Sequence, residues 1–371
     1  MLKIGFLINP IAGLGGKKAW KGTDFINEAW DFFESGETYA FERVKQALNS
    51  IAASLPVRFY YCDDPMGKSI LTNYGFENEL VFHPSEQRTT ANDTQESCKV
   101  FLEKAVDLIL FVGGDGTARD VASVIGDKIP ALGIPSGVKM FSGCFLYRPN
   151  DLGEILDEMI YGEVVLAPED VMDVNEELFR ENRVQSSLFG HLIVPQKTGL
   201  IQGGKVSSSA GLIDDFYPLS EELVNEHDIL KGTVILGTGS TVYHVMKAIE
   251  IEKTLLGIDV LIDGEIKHKD VTEEQLHQLT SDNDVTFLLT PIGGQGFLLG
   301  RGNQQISSRV LNGAASFQFI VVSSEQKLTT IDKLEIDLEN PVDFKSIKNG
   351  FIRVLTGYHQ YKLKKINTQV N

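Results

Sequence analysis

Between Asp107 and Thr117 the chain reads DLILFVGGDGT, an apolar run followed by two glycines, an aspartate, a glycine and a threonine. The run Leu108–Val112 has the length and continuity of a strand buried on both faces of a parallel sheet. Three glycines in the next four residues allow a sharp turn and a close backbone approach to a ligand. A helix starting at the turn, with Thr117 as its expected cap and Asp120 completing a capping-box-like pair, directs free N–H groups at whatever binds there. Such a turn is an anion site, and phosphate is the usual anion. Asp115 breaks the pattern, because a carboxylate repels phosphate. It belongs there only if it orients a hydroxyl, takes its proton or helps to hold a metal.

The surrounding pattern repeats the strand–helix alternation. Leu2–Ile8, Val57–Tyr61, Leu108–Val112 and Ala131–Ile134 read as strands. Val44, Ala47, Leu48, Ile51 and Leu55 mark one helix face, Cys98, Phe101, Leu102 and Ala105 a second, and Val121, Val124 and Ile125 a third. This order predicts a Rossmann-like, doubly wound α/β domain over residues 1–160, with ligands at the C-terminal ends of its strands. A helix at 152–160 closes it. Beyond Gly162 short β-rich runs dominate, at 164–166, 188–194, 233–236, 259–267 with an Asp263-Gly264 turn, and 285–290. Helices near 221–230 and 240–251 interrupt them. A β-rich substrate-binding domain is expected over 161–310. Strand-like segments at 317–323 and 351–363 lie in a tail, 311–371, that either extends this domain or returns to the first.

Five glycine-rich segments are candidate ligand loops. Asn9-Pro-Ile-Ala-Gly-Leu-Gly-Gly-Lys17 follows the first strand, with Asn9, Gly13 and Gly15 as candidate contacts. Its spacing is neither a P-loop nor a dinucleotide fingerprint. The GGDGT turn offers Gly113, Gly114, Gly116 and Thr117 for binding and Asp115 for catalysis. Gly133-Ile-Pro-Ser-Gly-Val-Lys139 offers Lys139 as a phosphate contact. Gly237-Thr-Gly-Ser-Thr-Val-Tyr243 is again strand, glycine turn and helix start, where Ser240 or Thr241 is the expected cap. Pro291-Ile-Gly-Gly-Gln-Gly296, followed by Arg301, is a weaker case. His244 is read as a helix-surface residue, and the histidines show no metal-ligand spacing.

Composition narrows the partners. A net charge of −17 excludes broad nucleic-acid binding, so an anionic substrate must be met by backbone N–H groups, a few basic side chains and a divalent metal. No apolar run is long enough to span a bilayer, and Met1–Pro10 reads as a strand rather than a signal peptide. Cys62, Cys98 and Cys144, far apart and without a CxxC, suit a reducing cytoplasm and are expected to be buried.

Val112-Gly-Gly-Asp-Gly-Thr117 together with Gly239-Ser-Thr-Val-Tyr243 resembles the NAD kinase superfamily, which also holds diacylglycerol and sphingosine kinases. Residues 8–16, Lys21-Gly-Thr-Asp24, 133–139 and 291–297 are similar to the bacterial and archaeal ATP-NAD kinase-like group that includes acetoin-catabolism protein X. The resemblance implies two domains with a cleft between them, a homo-oligomer and ATP-dependent phosphorylation of a hydroxyl with Mg²⁺. Asp115 would accept or orient the hydroxyl proton, and Gly239, Ser240, Thr241 and Tyr243 would bind nucleotide. NAD is the implied acceptor. NAD kinases carry an Asn-Glu pair on the dinucleotide, for which Asn175-Glu176 is the candidate here. The turn at 237–243 also departs from the usual Thr-Pro-Thr-Gly-Ser-Thr-Ala-Tyr. A kinase for another polyol or lipid headgroup and a non-catalytic dinucleotide-binding regulator are the alternatives.

Overall fold

The computed structural model describes residues 1–20, 27–36, 39–136, 140–162, 164–174, 186–197, 200–201, 216–292, 296–300, 302–340, 342–344, 347 and 349–368. Two compact units divide the chain: Met1–Gly15 with Lys21–Lys205, and Gly16–Trp20 with Val206–Asn371.

The first unit is built on five parallel strands, β1 (Leu2–Ile8), β2 (Val57–Cys62), β3 (Glu77–Phe82), β4 (Leu108–Gly113) and β5 (Ala131–Pro135), in the order β3-β2-β1-β4-β5. Every residue of β4 is buried, as a central parallel strand requires. The strand order reverses between β1 and β4, which pair in register from Ile4↔Leu108 to Ile8↔Val112. The crevice beyond their C-terminal ends is the topological switch point, where open α/β sheets bind ligands. Helices α1 (Asn27–Glu34), α2 (Tyr39–Asn49), α3 (Lys68–Leu71), α4 (Ala91–Glu103), α5 (Asp115–Ile125) and α6 (Leu152–Tyr161) connect and follow the strands. The edge strand β3 has only a three-residue apolar run, Leu80–Phe82, and its residues are half-buried or exposed. All three cysteines are buried and free.

The boundary expected at 160 is displaced. Strands β6 (Val165–Val174) and β7 (Ser186–Gln196) form a two-stranded antiparallel ribbon that belongs to the first unit. A two-stranded ribbon is marginal alone; Val171, Leu192 and Val194 bury one of its faces in the first unit's core.

The second unit holds a nine-stranded sheet in the order β10-β9-β8-β11-β13-β15-β16-β14-β12. Its strands are β8 (Thr233–Leu236), β9 (Asp259–Ile262), β10 (Glu265–His268), β11 (Asp284–Leu289), β12 (Phe297–Leu299), β13 (Ser316–Val322), β14 (Leu334–Ile336), β15 (Phe351–Gly357) and β16 (Gln360–Asn367). The tail after 310 therefore extends this sheet. β8, β11, β13 and β15 run parallel at its centre. Asp263 and Gly264, with φ of 47° and 80°, make the two-residue turn between β9 and β10. The helix expected at 221–230 runs Tyr217–Asn225, started by a proline in its first turn; that expected at 240–251 runs Ser240–Ala248. Among the described residues, no helix is long and apolar enough to cross a membrane.

Candidate active site

At the switch point β4 passes directly into α5. The helix is capped by the backbone of Gly114, and Asp115 is its first residue. Thr117 is therefore not the cap, and it forms no capping box with Asp120, which lies 3.5 Å from the guanidinium of Arg119. Thr117 Oγ1 instead accepts a hydrogen bond of 3.0 Å from the side-chain amide of Asn9, whose own N–H donates to Val112 O. Gly113 has to be a glycine here, since a Cβ would stand 2.3 Å from Thr117 Oγ1. Asn9, Gly113 and Thr117 thus lock the first turn to the fourth strand. Ala118 N–H returns to Gly114 O, so the N–H groups of Asp115, Gly116 and Thr117 have no intrahelical acceptor.

The Asp115 carboxylate is 8% exposed and held at both oxygens. Phe141 N–H donates to Oδ2 at 2.7 Å and Ser142 N–H to Oδ1 at 2.9 Å. Its charge is felt nearby: burial first, and then Asp115, push the Cys144 thiol well above its ordinary range. Ser136 is not among the residues the sequence proposes for the site. Its N–H donates to Gly113 O at 3.1 Å, and its buried Oγ has no hydrogen-bond partner among the described residues. Lys139 and Asn175-Glu176 lie outside the described residues. In the loop after β1, Gly13 takes φ +82° and a Cβ there would sit 2.0 Å from Ser136 O; Gly15 is buried. Gly16–Trp20 belongs to the second unit, where Lys17 pairs with Glu339 at 2.9 Å.

In the second unit, β8 leads through Gly237–Gly239 into the helix Ser240–Ala248, with Gly239 at φ +114° as its cap. Neither Ser240 nor Thr241 caps it through a side chain. The N–H groups of the turn itself are already used. Gly237 donates to Leu288 O at 2.9 Å, Thr238 to Asn303 Oδ1 at 3.0 Å and Gly239 to Leu255 O at 3.1 Å. Donors for an anion are therefore the first-turn N–H groups of Ser240, Thr241 and Val242, since Tyr243 is the first to bond back, to Gly239 O. Ser240 is exposed, Thr241 buried and Tyr243 half-buried, with Lys247 Nζ 5.8 Å from its ring centroid. His244 is half-buried rather than a surface residue. It stacks on Phe216 at 5.2 Å, and burial lowers its pKa. Asn303, fully buried, was missed by sequence reasoning; its amide also donates to Leu298 O, and the polar run Asn303-Gln-Gln305 was its only local signal. Gly293–Gln295 and Arg301 lie outside the described residues.

Each unit thus carries a strand–glycine–helix turn whose first-turn N–H groups have no intrahelical acceptor, and the first adds a buried, oriented carboxylate. That combination suits phosphate binding beside a hydroxyl acceptor. Among the described residues, no group of three or more His, Cys, Asp or Glu could hold a metal ion. Residues 4–164 match the model of the ATP-NAD kinase N-terminal domain, and residues 231–366 that of the ATP-NAD kinase C-terminal domain. No curated protein and no solved structure matches the chain. The two domain matches cover most of the chain, on the same residues that build both glycine turns, and the protein belongs to the ATP-NAD kinase family.

Proposed function

We propose that the protein is a cytoplasmic ATP-dependent kinase that phosphorylates the adenosine-ribose 2′-hydroxyl of NAD to give NADP. Membership of the family supports a phosphotransferase of the NAD-kinase type. The observation that supports phosphorylation of a hydroxyl is the Asp115 carboxylate, buried at the switch point and oriented by two backbone donors; NAD as the acceptor follows from the family resemblance. Phosphoryl transfer asks a protein for positioning and charge neutralisation. Asp115 would draw the acceptor hydroxyl into line and take its proton, help of a kind worth about 10²–10⁴-fold. In the first unit the helix N–H groups of Gly116 and Thr117, with Lys139, would bind phosphate oxygens; in the second, those at Ser240–Val242 would be an anion site of their own. Mg²⁺ takes one or two carboxylates plus phosphate oxygens and keeps its waters, and Asp115 is a carboxylate of that kind. When bound on the triphosphate it would offset charge.

The test is NADP formation from ATP, Mg²⁺ and NAD by the wild type and by Asp115→Asn. The wild type is expected to turn over, and the variant to lose at least about 100-fold in kcat. The amide also turns an N–H₂ toward one of the two N–H donors, so the variant should be less stable by about 1–3 kcal/mol while remaining folded. Near-normal turnover by Asp115→Asn would remove Asp115 from the chemistry. A wild type that makes no NADP, yet melts higher with NAD, would point to a regulator instead.

A further inference from the structure

The two N–H groups on Asp115 come from a loop that is itself anchored on two sides. On one side it returns along β5, with Gly133 N–H on Cys144 O at 2.8 Å and Leu146 N–H on Gly133 O at 2.9 Å. Phe145 packs there against Phe111, ring centroids 5.5 Å apart. On the other side the anchor is the ribbon. Ser142 Oγ accepts the N–H of Met172 at 3.0 Å, and Gly143 N–H donates to Asp170 O at 2.9 Å. The β6–β7 register shifts between Val171 and Met172, where Met172 N–H turns to Ser142. Bulges re-aim groups in this way, often beside active sites.

Ser142 is 1% exposed and holds both ends of this connection. Its backbone N–H binds the carboxylate, while its hydroxyl binds the β6 backbone beside the register shift. We propose that Ser142 is a positioning residue for Asp115: by holding the Met172 N–H of β6 at the register shift, its hydroxyl keeps the N–H groups of Phe141 and Ser142 on the carboxylate. The ribbon is then part of the catalytic support through its backbone at Asp170 and Met172. The inference rests on Asp115 acting in the reaction proposed above.

Ser142→Ala removes the hydroxyl and leaves both backbone donors in the chain. Met172 N–H loses its acceptor, the loop is freed on that side, and the carboxylate loses its fixed direction. A misplacement of about 1 Å can cost as much as about 100-fold, and loosening is smaller, so kcat is expected to fall about tenfold. KM for ATP should stay within about twofold, because that loss falls in the transition state and not in ground-state binding. Ser142→Thr keeps the hydroxyl and should recover most of the rate. Amide exchange followed by NMR supplies a readout independent of the acceptor: Phe141 N–H, whose partner is Asp115, should exchange faster in Ser142→Ala. If kcat stays within twofold of wild type, or Phe141 exchange is unchanged while Met172 exchange rises, Ser142 merely fastens the ribbon and the proposal is overturned. If the wild type phosphorylates no acceptor, the kinase reading falls, and the Phe141 exchange rate alone decides the Ser142 proposal.

Discussion

Lys253 lies just beyond the helix Ser240–Ala248, 5% exposed, with its ammonium donating to Thr254 O at 2.5 Å and Gly257 O at 3.2 Å. The same loop carries Leu255, whose carbonyl takes the N–H of Gly239. Asp259, fully buried, accepts from the N–H and hydroxyl of Thr254 and from the N–H of Asp270. Burial pushes the Lys253 pKa down from 10.5 to about 8, against the opposing charges of Asp259 and Asp270. Between those values the unfolded chain holds a proton that the folded chain has released. Stability contributed at this site therefore rises with pH from about 8 to about 10.5, by roughly 3 kcal/mol. The buried thiols act in the other direction; burial holds Cys98 up at about 12, so the unfolded chain loses those protons first. Comparing wild type with Lys253→Met by urea unfolding removes that shared effect. The difference between them should climb in favour of wild type across this window.

Among the elements, the helix Tyr217–Asn225 is tied to the β15–β16 hairpin by one carboxylate. Glu222, 1% exposed, accepts the Tyr361 hydroxyl at 2.6 Å and the His359 N–H at 2.9 Å, with His359 Nδ1 3.1 Å away. Burial pushes its pKa up, but those two donors and the charges of His359 and His227 outweigh it, leaving the carboxyl below its ordinary range. A lowered carboxylate stabilises the fold at neutral pH and stops doing so as pH falls through its folded value. Glu222→Gln should cost about 1–3 kcal/mol at pH 7, because an amide N–H₂ faces a donor. Urea unfolding at pH 7 and in acid should show the gap to wild type closing in acid. This tie could not be read from the sequence, since Glu222 and Tyr361 are 139 residues apart. The helix itself was legible in its apolar spacing, as were β4 and the turn at Asp263-Gly264. The edge strand β3 was not, because a half-exposed strand needs no continuous apolar run.

For the molecule as a whole, 51 acidic against 34 basic residues leave a net charge of −17, which repels itself across the folded surface. Exposed ion pairs such as Arg88 with Asp31 and Glu34 contribute about 0–1 kcal/mol each, too little to reverse that effect. Raising NaCl from about 10 mM to about 0.2 M should therefore raise Tm by a few degrees in a thermal melt. A fall would show that the surface pairs dominate. What the sequence by itself determined is local: a buried parallel strand, a glycine turn after it, a helix start, and a carboxylate at that start. Each follows from apolar continuity, positive φ and helix-end chemistry within about ten residues. Tertiary structure alone decided which donors are spent and which remain. Thr238 N–H is taken by Asn303, 65 residues away, and Asp115 by Phe141 and Ser142, 26 and 27 residues on. It also placed the β6–β7 ribbon with the first unit, because burying one face against a core is a contact between distant segments that no local pattern encodes.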